Sequence, residues 1–318
     1  MQKKMLAAAI AAMITLSTGS VFANPVELDG SVSYQFRKDT TDSQGDATGG
    51  KFTAVINGKT NLDRNLDLYA RLGAQTTSEE AIRDFTKNAD SDAAIDQFGF
   101  LYNNKGFNYK LGRQDATIGS TALLYNNNYK VGHNAFVDGL SVSGTSGVTA
   151  LNAIIAEEDN NGDDNQIASL NASFSPSANL ILGATVAKYD YNNSAVKDTN
   201  HFAVNAAYDF GKALAFAEYA KSDVDNDNKA FDIGVKYNLD GKNTAGIAYA
   251  RVEKNGDMNG MTDFDNNQKA VYYTFSHKVN DKSSIDLFYK AGKIIEDAGL
   301  AQAGDKNDSF RATMNYNF

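Results

Sequence analysis

The chain lacks several residue types and patterns, and each absence excludes a class of protein. It contains no Cys in 318 residues, which excludes disulfide scaffolds, thiol catalysis and Cys-ligated zinc or iron–sulfur centres. After the first 23 residues there is no long apolar run, and the mean hydropathy is −0.42. A helical membrane protein is therefore excluded. Only two Pro occur against 26 Gly, a balance that suits long, curved strands.

The first 23 residues have the features of a secretory signal peptide. Lys3 and Lys4 precede an apolar stretch over residues 5–16, and Ala23 ends a small-residue cleavage motif. We predict that residues 1–23 are removed, that Asn24 is the mature N-terminus, and that residues 24–318 form one domain. Loss of the two Lys changes the formal charge from −9 to −11 (−9 − 2). Such an acidic chain is unsuited to nucleic-acid binding, which needs a basic surface.

The mature chain repeats a pattern of period two, which is typical of β-strands. Apolar residues alternate with polar ones over residues 26–37 and again over residues 308–318. No stretch of similar length shows a helical pattern, so we predict an all-β protein with sixteen strands. The predicted strands are 26–37, 51–62, 66–74, 94–103, 107–114, 134–143, 148–156, 166–175, 180–191, 200–209, 213–221, 229–238, 243–253, 268–279, 284–293 and 308–318.

The connections between these strands alternate between short and long. Seven short connections contain Asn, Asp, Gly or Pro and suit tight hairpins. The eight long connections are 38–50, 75–93, 115–133, 157–165, 192–199, 222–228, 254–267 and 294–307. This alternation predicts an antiparallel up-and-down barrel with both termini at the short-turn end.

Two architectures fit alternating strands, a secreted β-sandwich and a transmembrane barrel. Strands of about ten residues match the tilted span of a bilayer. Aromatic residues occur at strand ends, where interfacial girdles require them, as in Phe202 and Tyr208 or Phe231 and Tyr237. These features favour the transmembrane barrel, whose apolar set faces lipid and whose polar set faces a water-filled lumen.

Three features together indicate a family: the opening strand from Val26 to Phe36, the segment Leu111-Gly112-Arg113-Gln114, and the terminal Phe318 after an alternating strand. On these features the chain resembles the Gram-negative general porins of the outer membrane. The resemblance implies a homotrimer of water-filled channels for small hydrophilic solutes and ions, with no cofactor. It also implies that the third long loop, about Asp115 to His133, folds into the lumen, and that Phe318 is an assembly signal for the outer-membrane insertion machinery.

The composition of the third long loop agrees with an inward position. Its apolar residues Ile118, Leu123, Leu124, Tyr125 and Tyr129 would be buried against the inner wall, since an external loop has little reason to expose them. We then expect Asn126, Asn127, Asn128 and Lys130 to line the passage. An ordinary outer loop, capping its own barrel or touching a neighbour, is the alternative.

The resemblance also implies a charged constriction, with basic wall residues opposite acidic loop residues. The candidate lumen residues are Arg37, Arg71, Lys110, Arg113, Asp115, Tyr129 and Lys130. Strict alternation would place Arg113 outward, but we predict that a bend into the loop turns it into the lumen. The family's acidic loop motif is absent, and only Asp115 and Asp138 are acidic residues close to the loop.

The remaining acidic residues fall in predicted outer loops, Asp263 and Asp265 among them. We expect these loops to be solvated or to bridge through divalent cations to lipopolysaccharide, and to concentrate cations at the mouth. A weak cation preference follows, opposed by Arg71 and Arg113. No metal site is predicted, because the acidic run over residues 223–227 lacks the Gly and Glu of a calcium-binding loop.

Two other functions remain open at the level of the sequence. An outer-membrane barrel enzyme would need a base, and His133, His201 and His277 do not form a recognisable catalytic constellation. A channel specific for sugars or anions would need an aromatic path or more basic lumen residues. Tyr69 and Tyr129 could begin such a path, but most aromatic residues fall in the lipid-facing set.

Overall fold

The computed structural model describes residues 25–82, 84, 91–132, 135–158 and 164–318 of the chain. The predicted signal peptide and its cleavage site, Ala23 and Asn24, lie outside these residues. Within the described residues no helix is long and apolar enough to cross a membrane. One short 3-10 helix, Glu80–Ile82, follows the third strand.

The described residues form eighteen strands. They are β1 (Val26–Thr41), β2 (Gly45–Asp63), β3 (Leu66–Thr77), β4 (Ser91–Asn104), β5 (Phe107–Gln114), β6 (Thr117–Ile118), β7 (Tyr125–Asn126), β8 (Val137–Ser146), β9 (Thr149–Glu158), β10 (Gln166–Ser177), β11 (Leu180–Asp190), β12 (Thr199–Asp209), β13 (Ala213–Ser222), β14 (Lys229–Asn238), β15 (Asn243–Val252), β16 (Gln268–Lys278), β17 (Ser283–Ile294) and β18 (Asn307–Asn317).

Sixteen of these strands form one closed antiparallel barrel, and β6 and β7 form a separate two-stranded pair. Each barrel strand pairs with the next barrel strand along the chain, and β18 pairs back onto β1. The predicted all-β, up-and-down barrel of sixteen strands is therefore confirmed.

One predicted long connection, residues 38–50, is wrong. Strands β1 and β2 stay paired as far as Thr41 and Gly45, so only residues 42–44 separate them. The error has a physical cause: beyond the membrane a strand keeps its backbone ladder but loses the apolar residues on its outer face. Polar composition on both faces was therefore mistaken for a loop.

The two faces of the barrel wall differ as the alternation predicts. On β12 and β14 the outward side chains include Phe202 and Ile233, which are 50% and 57% exposed. Their neighbours Ala203 and Asp232 point the other way and are buried. The exposed apolar set continues around the barrel, as expected of a surface in contact with lipid.

The ring closes where the C-terminus meets the first strand. The Phe318 amide donates to the Gly30 carbonyl at 3.0 Å, and the Gly30 amide donates back at 3.4 Å. A Cβ atom on Gly30 would lie 2.6 Å from Cζ of the Phe318 ring and would also clash with the Val55 carbonyl. Glycine is therefore needed at position 30, because the terminal ring occupies the space of a side chain.

We expect Gly30→Ala to destabilise the barrel by about 1–3 kcal/mol, because the added methyl group must displace the Phe318 ring or the β2 backbone. Urea unfolding in lipid vesicles, followed by circular dichroism, measures this change. Gly58→Ala on β2 is the matched control, since its Cβ would have no neighbour nearer than 3.4 Å. Equal stability of the two variants would contradict the role given to Gly30.

Candidate functional site in the barrel lumen

Residues 115–132, which follow β5, pack against the inner wall of the barrel. Ile118, Leu123, Leu124 and Tyr125 are at most 2% exposed. They form one apolar cluster with inward-facing residues of β8 to β15. These wall contacts include Val137, Ile154, Ile167, Tyr189, Ala203, Ala220, Ala230 and Val252. The predicted burial of these four loop residues against the inner wall agrees with the contacts. The same prediction is wrong for Tyr129, which is 48% exposed and lines the open cavity described below.

Polar contacts attach the tip of this segment to β13 and β14. The amides of Ser120 and Thr121 donate to the Glu218 carboxylate at 3.0 and 2.8 Å. Thr121 Oγ1 lies 2.8 Å from both Glu218 Oε2 and Asp232 Oδ1. Glu218 and Asp232 are directly opposed in the strand register. Both carboxylates are buried beneath the tip, so the segment is held by charge-assisted hydrogen bonds.

A second set of contacts holds the middle of the segment. The Tyr125 hydroxyl donates to Glu158 Oε1 at 2.6 Å. The Tyr189 hydroxyl donates to the other oxygen of the same carboxylate. Glu158 is 2% exposed. A buried carboxylate is stable only when hydrogen bonds replace its water, and these two phenols provide them.

Residues 253–267, between β15 and β16, pack on the first segment. The Met258 amide donates to the Leu124 carbonyl at 3.0 Å, and the Asp263 amide donates to the Ala122 carbonyl at 3.1 Å. The Asn126 side chain donates to Asp263 Oδ1 at 2.7 Å. Asp263 is exposed, as expected, but its predicted position in an outer loop is wrong, because its loop is bound to the segment that covers the inner wall.

Between these two segments and the wall formed by β1, β2 and β18 lies a cavity of about 660 Å³. Its charged and aromatic lining consists of Arg37, Lys51, Arg311, Asp84, Asp263, Asp265, Tyr129 and Lys130. The three wall cations come from β1, β2 and β18, and Asp263 and Asp265 come from residues 253–267 on the other side of the cavity. The third acid, Asp84, follows β3 and pairs directly with Lys51.

Most of the charges around this cavity are already paired. Arg37 pairs with Asp39 at 2.7 Å, Lys51 with Asp84 at 2.5 Å, and Lys290 with Asp265 at 2.5 Å. Arg311 has no carboxylate within 4.0 Å in the described part of the chain, and its guanidinium lies 4.6 Å from the centroid of the Phe288 ring. Arg311 is therefore a lumen cation that no close ion pair among the described residues neutralises.

Three predicted lumen residues, Arg37, Tyr129 and Lys130, lie together in this cavity. Burial raises the pKa of Tyr129 to about 12 and lowers the pKa of Lys130. Asn126 and Asn127 were expected to line the passage, but they are 2% and 1% exposed. That expectation is wrong, because both amides bind loop groups: Asn127 Oδ1 accepts the Ala116 amide at 2.7 Å, for example.

Arg71 and Lys110 also point inward but lie outside the cavity lining. Arg71 makes two hydrogen bonds to Asp96, at 2.7 and 2.8 Å, and donates to the Lys130 carbonyl at 3.1 Å. It therefore fixes the end of the segment 115–132. Lys110 pairs with Asp115 at 3.0 Å and lies 5.0 Å from the centroid of the Tyr69 ring. Both cations are neutralised locally.

The prediction that Arg113 turns into the lumen is wrong. Arg113 is opposed to Asp138 on β8 and Phe98 on β4, in the same outward set as Leu111, which is 54% exposed. Its Nη2 lies 2.6 Å from Asp138 Oδ2, and its guanidinium lies 5.8 Å from the Phe98 ring centroid. No bend is needed, because the ion pair lies at the long-loop end of β5 and Asp138 neutralises the charge.

Arg311, Asp84 and the pair Asp263 and Asp265 were missing from the predicted lumen set. For Arg311 a signal existed, since it alternates with Phe310 and Ala312 at the C-terminus. The acids could not be found by alternation, because they lie in connections whose path depends on tertiary contacts.

His201 and His277, two of the candidate bases, have structural partners. His201 Nε2 lies 2.9 Å from Thr199 Oγ1, and His277 Nδ1 lies 2.8 Å from Asn243 Oδ1. His133 lies outside the described residues. In the described ranges, no group of three or more His, Asp or Glu residues could hold a metal ion.

Comparison with solved structures shows the same fold in outer-membrane proteins. A triple mutant of the Rhodopseudomonas blastica porin is 13% identical with a TM-score of 0.59, and the match covers 92% of this chain and 100% of that chain. Outer-membrane expressed OmpT of Vibrio cholerae is 15% identical with a TM-score of 0.60, covering 94% and 99%. The trimer form of in-vitro folded OmpT is 14% identical with a TM-score of 0.59, covering 93% and 100%.

No curated protein sequence gives a match. The model of the Gram-negative porin family matches residues 7–318, which is nearly the whole chain. The chain therefore belongs to the Gram-negative porin family and is a channel-forming barrel of the bacterial outer membrane.

Proposed function

We propose that this porin lets small hydrophilic solutes and ions diffuse passively through a water-filled lumen, narrowed by residues 115–132 and 253–267. The observation that supports the proposal is the 660 Å³ cavity with cations on the wall and with Asp263 and Asp265 on the second of these segments. A barrel of sixteen strands is wide enough to leave an aqueous channel. Polypeptide attached to the inner wall then determines what passes. In this proposal no side chain reacts with the solute, no cofactor is needed, and the chain is not an enzyme.

The charges of the cavity imply a transverse field and weak ion selectivity. Arg37, Lys51 and Arg311 lie on the wall, Asp84 is paired with Lys51, and Asp263 and Asp265 lie on the segment opposite. Because the two signs nearly balance, neither cations nor anions are strongly excluded. Acidic residues in the long loops, such as Asp223 and Asp225, add negative potential at the mouth, which attracts cations. We therefore propose a weak cation preference.

We expect Arg311→Ala to shift the reversal potential toward cations, with a change in the permeability ratio of roughly twofold. The reason is that Arg311 is a lumen cation without a paired carboxylate among the described residues. The measurement is the zero-current potential of single channels in asymmetric KCl. Arg113→Ala is the control, since it removes the same charge from the outer wall. A larger shift for Arg113→Ala would contradict this assignment.

We expect Glu218→Ala to loosen the tip of segment 115–132, because the tip would lose several hydrogen bonds to a charged acceptor, each worth about 1.5–3 kcal/mol. The open-channel current should become larger and noisier in planar bilayers. Glu27→Ala is the control, since Glu27 forms an exposed ion pair with Lys59 away from the segment. Unchanged conductance and noise in Glu218→Ala would show that the segment does not limit the current.

We also propose a homotrimer whose outward surface contacts outer-membrane lipids and lipopolysaccharide. The structural similarity to the trimer form of V. cholerae OmpT supports the trimer, and the exposed apolar belt supports the lipid contact. Phe318, whose backbone closes the barrel on Gly30, is the proposed signal for the insertion machinery. Electrophoresis without heating should give a band three times the monomer mass that collapses on boiling. A monomer band under all mild detergent conditions would contradict the trimer.

A further inference from the structure

A second cavity, of about 480 Å³, opens on the inner wall formed by β11 to β17. It extends from the two segments described above toward the short turns, and its lining is mainly apolar. The ring-bearing residues around it are Phe216, Phe264, Tyr272 and Phe288. Ile181 and Leu214 line it as well, and they are 45% and 39% exposed. The apolar cavity is defined here by these six residues.

This composition departs from the pattern of the rest of the inner wall. Inward-facing positions of an outer-membrane barrel are polar, because they meet water. The side chains of Phe216, Tyr272 and Phe288 point inward. They fall in the opposite phase of their strands from the exposed, outward residues Tyr219, Tyr273 and Tyr289. Exposed apolar surface of this size facing water generally marks a binding site.

Two cations lie next to the rings of the apolar cavity. Lys236 Nζ is 5.9 Å from the Phe216 centroid, and the Arg311 guanidinium is 4.6 Å from the Phe288 centroid. Within the described residues neither cation has a carboxylate within 4.0 Å. Asp263 also lines the cavity, but its carboxylate accepts a hydrogen bond from Asn126 at 2.7 Å. Lys236 lines the apolar cavity itself, whereas Arg311 lines the charged cavity and borders the apolar one beside the Phe288 ring.

From this combination we propose that the apolar cavity is a low-affinity subsite for small aromatic carboxylates passing through the channel. The aromatic ring of the solute packs against Phe216 and Phe288, where ring pairs add to the energy of apolar burial. The carboxylate faces Lys236, which lines the cavity, and Arg311, which borders it beside Phe288. The proposal rests on the proposed channel function and names one class of solute for it.

The weak binding expected of so small a ligand suits transport. A ligand of about ten non-hydrogen atoms reaches a dissociation constant on the order of millimolar. Occupancy therefore lasts only briefly, and the solute is released again. A subsite of this kind raises the local concentration of the solute in the lumen without trapping it.

Planar bilayers that contain the purified protein in KCl test the subsite with three probes. Phenylacetate should interrupt the current reversibly, with half-blocking on the order of millimolar. Acetate, which lacks the ring, and 2-phenylethylammonium, which has the opposite charge, should not interrupt it at that concentration. Ohmic current in KCl with no interruption by phenylacetate would overturn the subsite and leave the channel function intact. Equal block by 2-phenylethylammonium would overturn the role of the cations.

Matched variants test whether phenylacetate blocks the current by binding in the apolar cavity. Lys236→Gln should raise the half-blocking concentration about fivefold, and Phe216→Leu should raise it about threefold. The controls are Lys242→Gln in an exposed turn and Phe310→Leu on the outer wall, and neither should change it. Equal block in Lys236→Gln and the original protein would overturn the proposal. If a variant forms no channels, saturation-transfer NMR with phenylacetate on the detergent-solubilised protein gives the same comparison.

Discussion

Backbone hydrogen bonding in the membrane is the constraint on which the rest of this structure depends. Inside a bilayer no water is available for an unpaired amide or carbonyl group, so a sheet that spans it cannot have an edge. Here the last edge is closed by β18 on β1. The final contact is the reciprocal pair of hydrogen bonds between Gly30 and Phe318. The small residue at position 30 and the ring at the C-terminus are thus parts of one closure.

Closure has a consequence for the interior. A ring of sixteen strands is too wide to be filled by its own inward side chains, and the inner wall must find other partners or stay in water. In this chain the wall of β8 to β15 is covered by residues 115–132, and those residues are in turn covered by residues 253–267. The wall of β1, β2 and β18 stays open to the cavity. The lumen is therefore asymmetric, with a packed side and a charged, wet side.

The sequence predicts the wall better than it predicts the lumen. The number of strands and the face to which each side chain points follow from the alternation of period two within each strand. Arg37 and Lys110 are placed correctly for that reason. The errors arise where contacts between residues far apart in the sequence determine the position of a side chain or a loop. Arg113 was turned inward to avoid lipid, because its partner Asp138 is 25 residues away and its pairing is invisible to local reasoning. Asp263 was placed outside because only the fold brings its loop to Asn126.

The unpaired cations of the lumen act on a passing solute more strongly than the paired ones do. Arg71, Lys110 and Lys51 each have a carboxylate within 3.0 Å, so their fields are largely cancelled a short distance away. Arg311 and Lys236 instead lie beside Phe288 and Phe216, and an aromatic ring attracts a cation without neutralising its charge. Within the described residues, a passing anion therefore meets two positive charges that no carboxylate within 4.0 Å neutralises. At Phe216 and Phe288 the lumen therefore presents apolar surface and a positive charge side by side.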